Sequence, residues 1–223
     1  MPASSSSSLE AALAARSDVW RGANGARPPT ETSGFASLDA RLPGGGWPLG
    51  ALSELLLESN GIGELQLALP LLVRLTQADR HVAFVAAPQV LYAPALARAG
   101  LILNRSLVVE PHSAEHAIWA AEQLLRTPAY GAVLAWTRNL READARRLQL
   151  AAEHSGNIGL LYRPARVAGS ANIAAVRLRL ARRDARLEVE VLKARGGRSG
   201  TRFFVDAPVA LRVIAAAGQR DVA

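Results

Sequence analysis

Ala51-Leu52-Ser53-Glu54-Leu55-Leu56-Leu57, then Glu58-Ser59-Asn60-Gly61-Ile62-Gly63-Glu64, then the periodic run of residues 65–78, is the stretch on which the fold turns. A short, nearly continuous apolar run fits a strand buried on both faces of a parallel sheet. A glycine-bearing turn then delivers the chain into a helix over about residues 64–78. The same unit recurs downstream. Residues 81–87, Ser106–Val109, 132–136 and 158–162 read as further strands, with helices predicted over 90–99, Ala114–Arg126 and 141–154. Ser113 suits an N-cap, and Gly100 and Gly156 stand where helix C-termini are expected. Pro70 removes a backbone donor in mid-helix and predicts a kink there. Strand and helix in alternation give an α/β fold: a mainly parallel sheet flanked by helices.

Beyond residue 175 the period changes to two. Val176, Leu178 and Leu180 alternate with Arg177 and Arg179, and Leu187, Val189 and Val191 alternate with Glu188 and Glu190. That is an antiparallel hairpin with one wet face, turning at Asp184-Ala185. A two-residue turn sets Arg179 opposite Glu190, Leu178 opposite Val191 and Leu180 opposite Val189. Opposed charges and opposed aliphatics favour that register by about 0.2–1 kcal/mol per pair. Residues 201–205 read as a last strand and 209–217 as a short apolar helix.

The chain has 223 residues, half of them apolar, with a mean hydropathy of +0.11. That is enough to bury a sizeable core and argues against wholesale disorder. The longest apolar stretch, residues 65–73, is broken by Gln66 and Pro70 and falls short of the ~18 residues of a membrane helix. The N-terminus has no basic region ahead of its apolar residues, unlike a secretory signal, and there is no cysteine. A soluble, cytoplasmic protein with no membrane contact is expected. Residues 1–32 read as an extension: a serine run, then a short helix that could carry Leu9, Leu13 and Trp20 on one side, then a Gly/Pro linker. Such a helix is marginal alone, so it docks on its own domain or on a partner. Residues 33–206 form the predicted main domain and 207–223 a helical tail.

Charge is uneven. Of the net +7, residues 163–202 carry +8 and the remainder −1. A basic end on a neutral body suggests an anionic partner such as nucleic acid; an Arg-rich composition on solvated faces is the plainer alternative. The loop after the first strand lies where phosphate loops are built. Set against G-x-x-x-x-G-K-[ST], Leu57 and Ile62 fall at the glycines, Gly63 at the lysine and Glu64 at the hydroxyl. Glu58 and Glu64 add negative charge where phosphates would bring more, at on the order of 4 kcal/mol per like-charge contact near ~4 Å. Ordinary ATP binding is not expected.

Ser33-Gly34-Phe35-Ala36-Ser37-Leu38-Asp39, Gly44-Gly45-Gly46-Trp47-Pro48-Leu49-Gly50 and Glu54-Leu55 resemble the entry to the RecA ATPase core. GELQLALPLL (63–72), YAPALARAG (92–100), LVVEP (107–111), AIWAAEQLLR (117–126), GAVLAW (131–136), RRLQLAAEHSGNIGLLYRP (146–164) and VLKARGG (191–197) are similar to the ImuA family of SOS mutagenesis accessory proteins and to its sister family, the division inhibitor SulA. The resemblance covers residues 33 to about 206 and implies a RecA-like core with a degenerate P-loop.

Against the RecA pattern the water-activating Glu position holds Pro88 or a neighbour, and the magnesium-binding Asp position holds Trp136. With the lysine and hydroxyl also missing, the resemblance implies a non-enzymatic protein with no nucleotide cofactor. For an ImuA-like adaptor it implies ImuB, RecA and, indirectly, a damage-induced C-family polymerase α subunit as partners. The alternative is a SulA-like inhibitor of FtsZ polymerisation. The second RecA-type DNA loop survives in reduced form after residue 162. Weak phosphate contact is expected of Arg163, Arg166, Lys193, Arg195, Arg198 and Arg202.

His112 and His116 have i, i+4 spacing, but a helix capped at Ser113 puts His112 off its face and no third ligand lies near, so no metal site is expected. Trp136 reads either as a plug over the vacated nucleotide site or as a partner-facing residue. Residues 195–200 read as a strand connection or a flexible basic binding loop.

Overall fold

The computed structural model describes residues 29–170, 172–184, 186–194 and 199–205. The predicted helices at about 9–16 and 209–217, together with Trp20, Arg195 and Arg198, lie outside them. A two-residue strand β1 (Thr30–Glu31) pairs with β2 (Trp47–Pro48). After it come α1 (Ala36–Asp39), β3 (Ala51–Leu57), α2 (Glu64–Gln77), β4 (His81–Val85), α3 (Ala93–Arg98) and β5 (Ser106–Val109). Then follow α4 (Ala114–Arg126), β6 (Tyr130–Trp136), α5 (Glu142–Ser155), β7 (Ile158–Pro164), β8 (Val176–Arg183), β9 (Arg186–Ala194) and β10 (Arg202–Val205).

Eight strands form one sheet in the order β10-β9-β8-β3-β7-β6-β4-β5. From β8 to β5 every neighbour is parallel; β9 and β10 add antiparallel strands at one edge. Every residue of β3 is buried, as its apolar run requires at the centre of the sheet. One face packs on α2 through Leu67, Leu71 and Leu72, and the other on α4 and α5 through Ala121, Leu125, Leu148 and Ala152. The hairpin has the register its sequence specifies, with Leu178 against Val191, Arg179 against Glu190 and Leu180 against Val189.

Ser113 caps α4, its hydroxyl accepting from the His116 amide at 3.1 Å. Pro70 stays inside a continuous α2. Helix α3 is shorter than the predicted 90–99, because Pro94 fits only the first turn of a helix and sets its start.

Two other differences matter. Ser106–Val109 is not buried on both faces: Leu107 and Val108 are 40% and 47% exposed, because β5 is the sheet's outer strand. The last residues of the stretch read as an extension, 1–32, already form β1, where Thr30 donates to the Gly44 carbonyl at 3.0 Å. Gly46 allows this crossing, since a Cβ there would lie 2.2 Å from the Glu31 carbonyl oxygen.

Candidate functional site

The loop from β3 to α2 sits at the carboxyl end of the parallel strands, where open α/β sheets place ligands. Gly61 and Gly63 hold it in left-handed conformations, φ +78° and +98°. Gly63 caps α2, so the first helical residue is Glu64. Loop amides ahead of a helix can hold an anion, and here the helix's own first side chain turns back onto one of them. The Glu64 carboxylate is buried and accepts the Gly61 N–H at 3.1 Å. Glu58, at the other end of the loop, takes a bidentate pair of bonds from Arg183 on β8, each 3.1 Å. Both carboxylates that the sequence sets in this loop are therefore engaged within the fold.

Behind the loop, Ile62 is buried in the α2-side cluster with Leu55, Leu57 and Tyr162. Trp136, at the tip of β6, stacks on Tyr162 with ring centroids 4.5 Å apart and planes 11° from parallel. Burial, and secondarily the Glu64 charge, pushes the Tyr162 phenol well above its ordinary pKa. An indole, a phenol and a carboxylate thus gather beside the loop at this end of the sheet. Arg182 on β8 brings a guanidinium nitrogen to the Gly63 side of the loop, 3.9 Å from where a Cβ at Gly63 would sit.

On the opposite side of β3, Glu54 is 2% exposed and bridges two arginines. Arg163 on β7 donates to it at 2.7 Å and Arg177 on β8 at 2.7 Å. Arg177 also donates to the carbonyls of Val167, Ala168 and Ser170 at 2.6–3.0 Å, fastening the segment after β7 to the sheet. Sequence reasoning missed this cluster, although a carboxylate inside a strand buried on both faces is itself the signal that a cation must meet it.

The cluster changes the reading of the basic residues. Arg163 is spent in the interior on Glu54 and is not presented at the surface for DNA phosphates. Arg177, read as facing water, is buried as well. Lys193 donates to the Asn172 carbonyl at 3.1 Å, Arg202 pairs with Glu190 at 3.1 Å, and Arg166 is exposed. Arg177, Arg179, Lys193, Gly169 and Asn172 line an open depression of about 520 Å³. His112 and His116 are exposed, and no metal-binding group of three or more His, Cys, Asp or Glu occurs among the described residues. Among those residues no helix is long and apolar enough to cross a membrane.

The family model described as cell division inhibitor SulA matches residues 50–159. The cell division inhibitor SulA of Serratia marcescens is 32% identical over 117 residues, covering 52% of this chain and 70% of that protein. The chain belongs to the SulA family. SulA of Yersinia pestis strain Pestoides F is likewise 32% identical, over 115 residues and 68% of its length. The fold extends on both sides of the SulA match, with β1, α1 and β2 before it and β8 to β10 after it. The RadB recombinase structure superposes with a TM-score of 0.61 at 16% identity, over 78% of this chain and 94% of that one. This fixes the fold as RecA-like. Within the SulA family match lie β3, Glu58, Ile62, Gly63, Glu64 and Trp136; Arg163 and the basic hairpin lie beyond it.

Proposed function

We propose that this SulA-family chain acts by binding a protein partner, without nucleotide turnover, and that its activity is inhibition of cell division by blocking FtsZ polymerisation. The observation that carries the non-catalytic part is the Glu64 carboxylate on the Gly61 amide, which takes up a loop donor that a phosphate loop would keep for its ligand. A triphosphate would have to displace that carboxylate, face Glu58, and do so with no lysine in the loop. Isothermal titration with ATP and Mg²⁺ tests this: no binding heat is expected, and micromolar binding would overturn it. The division reading rests on the family. Induced expression is expected to give filamentous cells, and purified protein to lower the sedimentable FtsZ polymer; normal division and unchanged polymer sink it.

A second reading is favoured by the strands and helix that flank the SulA match on both sides. These parts carry the RecA-like entry and the basic hairpin, and they support an ImuA-like adaptor of SOS translesion synthesis that binds ImuB and RecA, with a C-family polymerase α subunit joined indirectly. Leu9, Leu13 and Trp20 would form one contact, and Arg166, Lys193, Arg195, Arg198 and Arg202 a weak, salt-sensitive DNA contact. Co-purification of ImuB or RecA with the full chain, lost on deleting residues 1–28, is the expected result for this reading. Filamentation without such capture favours the division inhibitor.

A further inference from the structure

Helices α4 and α5 bury Ala117, Ala121, Leu125, Leu148 and Ala152 on one face of the sheet. Each also turns a large apolar side chain away from it: Trp119 is 59% exposed and Leu150 62%. Beside Trp119, between the helices, lies a depression of about 270 Å³ that Arg141 and Arg147 also line. Both arginines are spent locally, Arg141 on Asp144 and Arg147 on Glu122. What an occupant of this face gains is burial of the indole and of Leu150. The upstream chain enters right beside it. The Pro29 carbonyl accepts the Leu49 N–H at 2.9 Å. Gly50, the next residue, lies on the last turn of α5, where a Cβ would stand 3.5 Å from Glu153 Cα and 3.6 Å from the Ala152 carbonyl oxygen. Gln149 of α5 donates to the Gly50 carbonyl at 3.2 Å. The residues before Pro29 therefore start from the end of α5 that carries Leu150.

We propose that residues 9–20 fold back over α4 and α5 of the same chain, with Trp20 against Leu150 and with Leu13 and Leu9 against Trp119. Reach and order both fit. Residues 21–28 span up to roughly 26 Å when extended, more than the about 21 Å length of a 14-residue helix such as α5. Followed back from Pro29, the chain meets Trp20 first, at the near end of α5, and then Leu13 and Leu9. A tether this short keeps the segment at roughly millimolar effective concentration over the face. A helix too short to stand alone needs that advantage, and a second copy or a free partner lacks it. The other stretches outside the described residues start farther off. Residues 206–223 leave from β10, three strands from β3, and 195–198 are confined between β9 and β10. The docking rests on neither functional reading. A partner that takes Leu9, Leu13 and Trp20 must first lift them from this face, so the contact competes with any such partner.

The chain has no cysteine, so an introduced pair reports a single contact. In the full chain, Leu13→Cys combined with Gln123→Cys, one turn along α4 from Trp119, should oxidise to an intramolecular disulfide. The rate should be the same at about 1 μM and about 50 μM, because a tethered pair does not depend on concentration. Leu13→Cys combined with Ala78→Cys, exposed at the end of α2 on the opposite face, should oxidise at least tenfold more slowly. An independent measurement uses one thiol, Ala143→Cys, on the exposed side of α5. Its modification rate follows access and should rise at least fivefold when Leu9→Asp and Leu13→Asp are added. A Leu13–Gln123 pair that forms no disulfide, or joins two chains only, overturns the proposal. So does oxidation as fast across the opposite face, or an Ala143→Cys rate indifferent to the two aspartates.

Discussion

The two halves of the sheet on either side of β3 and β7 are held by different physics. Toward β10 the strands are laced by charge: Glu54 to Arg163 and Arg177, Arg179 and Arg202 to Glu190, and Arg183 to Glu58 and Glu188. Toward β5 the centre is apolar, with Val82, Ala83, Phe84 and Val85 of β4 all fully buried. Only the ionic half fixes register by pairing, and Arg163, Arg177, Arg179, Arg183 and Arg202 are engaged in it. The basic excess of residues 163–202 therefore measures internal cross-bracing as much as attraction for an anionic partner.

The comparison breaks first at Glu54. Glu54→Ala strands two buried guanidinium groups and should cost about 3–5 kcal/mol, a fall of roughly 10 °C in melting temperature. Replacing Glu54, Arg163 and Arg177 together with apolar residues of similar volume should recover most of it. A single Glu54→Ala within 1 kcal/mol of wild type in urea denaturation would mean the ionic half is not held by its charges.

A smaller effect is expected at the loop. Glu64→Ala leaves the Gly61 amide without its acceptor, for about 1–2 kcal/mol; faster exchange of that amide should report it, while β4 amides stay protected. Next comes pH. Asp144, buried between α4 and α5, is held below the usual carboxylate range chiefly by the hydrogen bond from Arg141. A depressed native pKa gives stability that is present above the unfolded value of about 3.9 and lost as pH falls through the lower native one. Asp144→Asn should therefore flatten the acid limb of stability against pH, and an unchanged limb would contradict the assignment. The smallest effect belongs to Glu190→Gln. Its partners Arg179 and Arg202 are 34% and 61% exposed, so the loss should be about 0.5 kcal/mol and vanish in high salt.

Local patterns were legible where local chemistry decides them. The hairpin register follows from a two-residue turn plus matched charges and aliphatics a few positions apart. The ends of β3 and α4 follow from a glycine loop and the Ser113 cap. What periodicity lacks is position across the sheet: Ser106–Val109 has the composition of a central strand, yet its place in the strand order leaves it outermost. The Glu54 cluster was hidden for a related reason, because its arginines lie 109 and 123 residues away in the chain. At the loop, the sequence displayed the missing lysine and the two carboxylates. It did not display that Glu64 would turn back onto Gly61, which depends on how the glycine conformations aim the first turn of α2.

The left-handed backbone at Gly63 has a consequence for redesign. A lysine introduced at that position would start from a conformation that side-chain-bearing residues avoid, and Glu64 would still hold the Gly61 amide. Building a phosphate loop into this turn thus requires the backbone, the lysine and the carboxylate to change together, and a single substitution scanned alone would register only its cost.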